Sequence, residues 1–573
     1  MSPIHKSIFL LLLLPLLLAG CAHSSAPDAR SAAAPVATIP AASSCASLTA
    51  VDLTDIGGPG SRVTSAAQST SNGIVSCTVE ATLAPSIGLR VQLPLATWTG
   101  RYLQVGCGGL CGRIPMEAGA ADGCVPLAAG GFVIAGTDMG HQGNSGEFGR
   151  DPQKRTDFAH RAVHLTALAS KKLIKIFYGR AERYAYFTGC SDGGREALVE
   201  AQRYPDDFDG IIAGAAAMNF QVQNGLYHAW QAVSNTGPDG KAILLAGRLP
   251  DLHAAVLKQC DALDGQVDGL LGDPRQCRVD VAKLVCPSGA QGADCLSKAE
   301  AEAARRLYEG PRDRASGRRL TVGGPLPGSE LGWAGVFVPK SATEPIFSGR
   351  IALDALRNLS FENNPAPGFS LADVRFDADF FERLRPLHAL YGATNPDLSR
   401  FAASGGKLIL WHGWSDPHIS PLNTIAYHEA VLQTMGEQRA ADFERLYLLP
   451  GVYHCSGGEG PAAIDLLTPL MDWVENGVAP QAVVTRTSQR SSNFGQPGGA
   501  PAGQRPPGGP YELSPTAVPR SRPVFPYPQV ATYDGKGDPN AAESYRAGPA
   551  LFTGKTPDWL GADFYRPYQT KER

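Results

Sequence analysis

A serine, an aspartate and a histidine stand in three separate motifs of this 573-residue chain. Ser191 lies in Tyr186-Phe187-Thr188-Gly189-Cys190-Ser191-Asp192-Gly193-Gly194-Arg195, and Asp416 ends Leu410-Trp411-His412-Gly413-Trp414-Ser415-Asp416. His454 lies in Gly451-Val452-Tyr453-His454-Cys455-Ser456-Gly457-Gly458. A serine hydroxyl is a poor nucleophile at neutral pH and needs a base within hydrogen-bond reach. His454 suits that role, and Asp416 would orient the imidazole and stabilise its protonated form. The chemistry this set points to is acyl transfer. His412 and His418 flank Asp416, and Asp138 follows an earlier strand. His412 reads as a loop-packing residue and Asp138 as a structural hydrogen-bond acceptor, because neither fits the expected order. Acyl transfer also needs N–H donors for a developing oxyanion. One is the backbone N–H of Asp192, just after the nucleophile; the other comes from Gly106-Cys107-Gly108-Gly109, with Gly108 and Gly109 both open.

These residues must be placed by strands and helices. Gly189-x-Ser191-x-Gly193 ends a β-type run and opens a helical pattern, as a sharp turn that exposes a hydroxyl requires. Further β-rich runs occupy 101–105, 131–137, 184–188, 210–215, 407–411 and 445–449. Helical patterns at 157–178, 194–203, 422–435 and 462–475 alternate with them. The alternation predicts an α/β fold with a mainly parallel sheet, and the order Ser…Asp…His is that of an α/β-hydrolase. The rhythm breaks between 221 and 400, which reads as a large inserted lid domain. The catalytic domain then spans 44–220 and 401–487. Residues 488–517, rich in Gly, Pro, Gln and Ser, read as a disordered loop, and 518–573 as a segment packing on the catalytic domain followed by a tail.

The chain start is an address. His5 and Lys6 precede an apolar run from Ile8 to Leu18, too short to span a membrane comfortably, so 1–20 reads as a signal peptide. Leu18-Ala19-Gly20-Cys21 resembles a bacterial lipoprotein box, with Cys21 the lipidated residue and 21–43 a tether. The expectation is an exported protein, held in the bacterial envelope by that lipid alone. The twelve cysteines suit an oxidising compartment. Plausible pairs are Cys190/Cys455, Cys260/Cys277, Cys286/Cys295 and Cys45/Cys77, leaving Cys107, Cys111 and Cys124 with at least one thiol unmatched. Cys190 and Cys455 each adjoin a residue that must meet the other, so their Cα atoms must be near. The net charge of −3 gives no electrostatic reason to expect nucleic acid.

A second chemical cluster lies in Cys260-Asp261-Ala262-Leu263-Asp264-Gly265-Gln266-Val267-Asp268-Gly269-Leu270. Three carboxylates in one short turn repel unless a cation sits between them, and all-oxygen ligands favour Ca²⁺ over zinc. The spacing is not that of an EF-hand, because no glutamate closes the loop.

Together, Gly-Cys-Ser-Asp-Gly-Gly-Arg, Arg203-Tyr204-Pro205-Asp206-Asp207-Phe208-Asp209-Gly210 and Gly451…His454-Cys455-Ser456-Gly457-Gly458 resemble the tannase/feruloyl esterase family from about Thr99 to Val530. That family includes hydrolases of the PET-derived monoester MHET. The resemblance implies a serine carboxylesterase acting on small esters of aromatic acids, feruloyl, hydroxycinnamoyl or galloyl, with the MHET-type monoester as the narrower alternative. It implies a disulfide between the cysteines beside Ser191 and His454. It also implies a structural lid calcium held by the side chains of Asp261, Asp264 and Asp268 and the carbonyls of Gln266 and Leu270. Trp333, Phe337 and Arg357 are candidate substrate contacts in the lid. The chain departs from its relatives at Phe525 and Ala547, where they carry a cysteine pair, which predicts a lost bridge. A reading of another class is a non-catalytic, ligand-binding surface lipoprotein.

Overall fold

In a computed structural model, which describes residues 37–287, 295–487, 490–491, 511–512 and 519–569, nine strands form one sheet. They are β1 (Arg62–Ser71), β2 (Ile74–Leu83), β3 (Ile87–Pro94), β4 (Arg101–Val105), β5 (Phe132–Thr137), β6 (Tyr184–Cys190), β7 (Gly210–Gly214), β8 (Lys407–Gly413) and β9 (Glu444–Leu449). Their order is β1-β2-β3-β5-β4-β6-β7-β8-β9. From β5 to β9 every pairing is parallel, whereas β1, β2 and β3 add an antiparallel edge. The parallel strands are short apolar runs because both faces are covered: β4 and β7 are buried throughout. On one face, the helix Ala162–Tyr178 turns Leu165, Leu173, Ile174 and Phe177 into the core. On the other, Leu467–Asn476 contributes Leu467, Leu470 and Trp473.

Two expected elements differ. The β1–β3 edge did not emerge as apolar runs, because nearly all of β1 faces solvent. Its local signal is the turn Asn72-Gly73, where φ is 50° and 79°, a left-handed pair that suits a tight hairpin. The helix expected from Ala462 starts only at Leu467, because Ala463 and Asp465 instead form β-bridges to Arg486 and Ala121.

Among the described residues between β7 and β8 no strand joins the sheet, and this insertion builds its own core. The helices Leu249–Cys260 and Lys298–Glu309 pack Leu252, Val256, Ala304 and Leu307 with Trp333 and Phe337. From Thr38 onward the chain clusters as one unit. The expected signal peptide and Cys21 lie outside the described residues, as does most of the tether. The tether boundary moves, since Ile39 and Ala41 already donate N–H bonds to the carbonyls of Trp98 and Leu95 at 2.7 and 3.0 Å. Most of 488–517 also lies outside, although Arg490–Ser491 pairs with Tyr511–Glu512 within it.

The C-terminal segment packs as expected, and the packing continues through its described residues to 569 where a tail was expected. Ser521–Val524 pairs with Val483–Arg486, Trp559 is buried, and Tyr565 Oη accepts from Asn219 Nδ2 at 2.7 Å. Ala547 sits opposite Ala531 in a hairpin, with no cysteine at either Phe525 or Ala547.

Candidate active site

β6 ends at Cys190 and the helix Asp192–Arg203 follows directly, so Ser191 alone makes the turn. Its φ and ψ are 66° and −120°, a conformation costing about 1–3 kcal/mol that the surroundings must impose. Three hydrogen bonds do so: Ser191 N–H donates to Gly214 O at 3.0 Å, and Ser191 O accepts from Arg195 and Ala217 N–H at 3.1 and 3.0 Å. Small residues are required alongside. A Cβ on Gly189 would lie 2.3 Å from Gly193 O, and one on Gly193 would lie 2.8 Å from Cys107 O. Arg195, fully buried, grips Asp192 through two bonds of 2.6 and 3.0 Å and also donates to the carbonyls of Phe158 and Ala159. The Asp192 side chain is thereby committed to Arg195, and the residue contributes its backbone at the helix N-terminus.

Asp416 follows β8 and is fully buried. Its Oδ1 accepts from the backbone N–H groups of His418 and Ile419 at 2.7 and 3.0 Å. Its Oδ2 accepts from His454 Nδ1 at 2.7 Å and His412 Nε2 at 3.0 Å. Burial works against this charge, but His454 and His412 outweigh it and hold the carboxyl far below the usual carboxylate range. With Nδ1–H facing Asp416, His454 keeps Nε2 as the basic nitrogen. His412 is therefore more than loop packing. Its Nε2 faces two acceptors, Asp416 Oδ2 and Ile419 O, so it carries the proton, and Nδ1 accepts from the Thr424 hydroxyl at 2.7 Å. Asp138 is a structural acceptor: its Oδ1 takes the N–H groups of Gly88 and Gly140, both at 2.9 Å, and burial pushes its carboxyl up to about 6.

Cys190 and Cys455 are bonded, with Cα atoms 5.9 Å apart, and so tie the Ser191 turn to the His454 loop. Cys45–Cys77, Cys260–Cys277 and Cys286–Cys295 are also paired. The cysteines left unmatched resolve into Cys107–Cys111 and a buried free Cys124, whose thiol burial pushes up.

Ser191 and His454 line one cavity of about 430 Å³. Gly108, Gly109, Leu110 and Cys111 line it from one loop, and Phe347, Arg350, Ile351 and Asp354 line it from the helix Phe347–Asn358. A smaller adjoining space is bordered by Gly109, Ser191, Asp192, His418 and His454 but not by Gly108, which favours Gly109 as the loop's oxyanion donor. Arg113 and Arg350 are exposed on the cavity wall. Trp333 and Phe337 do not reach this cavity; both are fully buried in the lid's own core, and Arg357 donates to Phe369 O at 2.7 Å. The lid's wall-forming residues stand one to three helical turns before Arg357, on a face whose exposure no sequence pattern marks. No sequence motif marks His228. Its ring neighbours His418, which in turn stands 4.8 Å from His454.

The acidic turn is closed by Cys260–Cys277. Asp261 accepts from Gly269 N–H, Asp264 from Gln266 and Gly272 N–H, and Asp268 from Leu270 N–H. Burial, with the nearby Asp268 and Asp261 charges, pushes the Asp264 carboxyl up to about 6. Asp268 also pairs with Arg522, which neutralises part of the cluster. The donors are all oxygen, which suits a hard cation better than a soft one, but the carboxylate oxygens of Asp261, Asp264 and Asp268 do not all lie within 4.8 Å of one another here.

Residues 71–547 match the family described as tannase and feruloyl esterase. The chain is 33% identical, over 80% of its length and 81% of the relative's, to an uncharacterized esterase of Xanthomonas campestris. It is also 33% identical, with the same coverage, to the mono(2-hydroxyethyl) terephthalate hydrolase of Piscinibacter sakaiensis. Among solved structures, feruloyl esterase B of Aspergillus oryzae superposes with a TM-score of 0.74 at 25% identity, covering 88% of this chain and 100% of that one. The chain belongs to the tannase and feruloyl esterase family and is a carboxylic ester hydrolase.

Proposed function

We propose that this esterase cleaves esters of aromatic acids, feruloyl, hydroxycinnamoyl or galloyl, through an acyl-enzyme on Ser191. The observation that carries the reading is the cavity itself: Phe347, Ile351 and Leu110 give apolar lining to the same cavity that Ser191 and His454 line. Ser191 Oγ attacks the ester carbonyl and His454 Nε2 takes its proton. The backbone N–H groups of Asp192 and Gly109 receive the oxyanion, each worth about 10²–10³ in rate. His454 then protonates the departing alcohol, and water, activated by the same nitrogen, releases the acid. Asp416 stays ionised throughout, since its four hydrogen bonds all favour the charged form. The names of the relatives support an aromatic acyl group.

Arg113 and Arg350 favour a second, narrower substrate, a terephthalate monoester whose free carboxylate they would meet. The lid turn would hold a structural Ca²⁺ through Asp261, Asp264, Asp268 and the carbonyls of Gln266 and Leu270, where it would stiffen the turn and take no part in bond cleavage. The protein is exported and tethered to the bacterial envelope through lipidated Cys21, a reading supported by its apolar leader and its five disulfides. A panel of methyl ferulate, methyl gallate and the terephthalate monoester, followed by mass spectrometry of quenched enzyme, tests the substrate class. The reading expects an aromatic acyl mass on the Ser191 peptide; turnover restricted to aliphatic acyl esters contradicts it.

A further inference from the structure

The loop that lines the cavity beside Ser191 is a five-residue ring closed by its own disulfide. Cys107 and Cys111 are bonded four positions apart and enclose Gly108, Gly109 and Leu110. Both ends of this loop are anchored: Gly106 N–H donates to Thr188 O at 2.9 Å and Gly112 N–H to Asp138 O at 3.2 Å. Cys111 N–H donates to Gly108 O at 3.1 Å, and His141 Nε2 meets Leu110 O at 2.7 Å. Two adjacent glycines would give such a segment wide conformational freedom. Yet Gly109 and Cys111 both hold left-handed φ values, 68° and 59°, the latter uncommon for a residue with a side chain.

The disulfide rests on the helix that carries Ser191's other neighbours. Glu196 Oε1 lies 2.8 Å from Cys107 Sγ and 3.3 Å from Cys111 Sγ, while Oε2 accepts Cys107 N–H at 3.2 Å. Bonded sulfurs carry no proton, so neither donates to Glu196. Burial, with Asp192 beside it, pushes the Glu196 carboxyl well above the usual range, and its proton serves a hydrogen bond to Asp192. Gly106 packs so tightly on this helix that a Cβ there would lie 2.8 Å from Gly193 Cα. The loop with Gly109 and the helix start with Asp192 are thus joined through one bridge and one carboxyl. Cys111 also lines the substrate cavity, the side from which a small reagent would approach, and both cysteines are only 3% exposed, so opening is slow unless the loop moves.

We propose that Cys107–Cys111 is a redox-sensitive positioning bridge for the oxyanion loop, opened by a small dithiol and required for turnover but not for substrate binding. The inference rests on the reading of Gly109 as an oxyanion donor. In the reaction a dithiol gives up two electrons and closes to a cyclic disulfide, the Cys107–Cys111 bond breaks, and the two protons end on the cysteine sulfurs. Two thiols stand farther apart than two bonded sulfurs. Glu196 blocks movement inward, so Cys111 relaxes toward the cavity and carries the Gly109 N–H off the oxyanion position.

The test compares wild type with the Cys107→Ser/Cys111→Ser variant on methyl ferulate, each with and without a dithiol, while differential alkylation and mass spectrometry follow every cysteine. The expected result is a 10- to 100-fold lower kcat in the variant, with KM within twofold and a melt that stays cooperative, shifted by a few degrees at most. Wild type should fall to the variant's kcat as the Cys107/Cys111 peptide becomes alkylated, and the variant should not respond over the same interval. If the variant does not fold, the wild-type time course decides, through proportionality between alkylated Cys107/Cys111 and lost kcat. A wild-type kcat in the folded variant, or a loss confined to KM, overturns the proposal while leaving the esterase reading intact. Absence of Ser191-dependent hydrolysis in untreated wild type overturns both.

Discussion

Asp416 spends all four of its acceptor directions on N–H donors, two from the backbone of its own turn and two from His412 and His454. An asparagine there must turn its NH₂ toward one of those donor pairs, so Asp416→Asn is expected to misorient His454 and lower kcat by about 10⁴ with little change in KM. Steady-state kinetics checks this. Asp138 has the opposite electrostatics. Its folded value of about 6 lies above the ordinary 3.8, so its contribution favours the fold at low pH and is lost as pH rises through about 6. The difference is about 3 kcal/mol. Asp138→Asn keeps the Oδ1 acceptor for Gly88 and Gly140 and removes the charge. Thermal melts should therefore show stabilisation of this variant at pH 7 and little change at pH 4. The triad motifs were legible because each needs small residues packed around one polar group. His412 was not, because its bond to Asp416 depends on how the turn after β8 folds back.

The element that most affects the site is a covalent one between two loops. Cys190–Cys455 closes a span of 265 residues, worth about 5 kcal/mol in the entropic account. Replacing both cysteines by alanine is expected to lower the melting temperature and to cut kcat far more than it raises KM, because the His454 loop loses its register with Ser191. Unchanged turnover would refute that role. The lid turn gives the second prediction at this scale: a chelator should lower the melting temperature, and added Ca²⁺ should restore it where Zn²⁺ does not. The parallel strands could be read from sequence because burial on both faces leaves them mostly apolar, with few polar residues such as Arg101 and Gln104 in β4. β1 could not, since it is an exposed strand whose partner is set by the Asn72-Gly73 turn.

Across the whole molecule, the cavity exists only where the insertion between β7 and β8 meets the sheet's loop ends. Its lid wall comes from the helix Phe347–Asn358 and not from Trp333 or Phe337, which form the lid's interior. An aromatic residue in an insertion packs equally well inward or toward a ligand, and sequence alone does not separate the two. The buried Trp559 and Tyr565 illustrate the same limit at the chain's far end. If Arg350 meets a substrate carboxylate, Arg350→Ala should lower kcat/KM for the terephthalate monoester about five- to tenfold and leave methyl ferulate within twofold. Equal loss on both substrates would assign Arg350 to packing over Phe347, whose ring it overlies at 5.6 Å. The central claim is that Ser191 is the nucleophile of an aromatic-ester hydrolase. The direct measurement is the rate of methyl ferulate hydrolysis by wild type and by Ser191→Ala, both confirmed folded by thermal melting. The account predicts steady release of ferulate by wild type and a loss of at least about 10⁴-fold in the variant; comparable rates from the two proteins would contradict it.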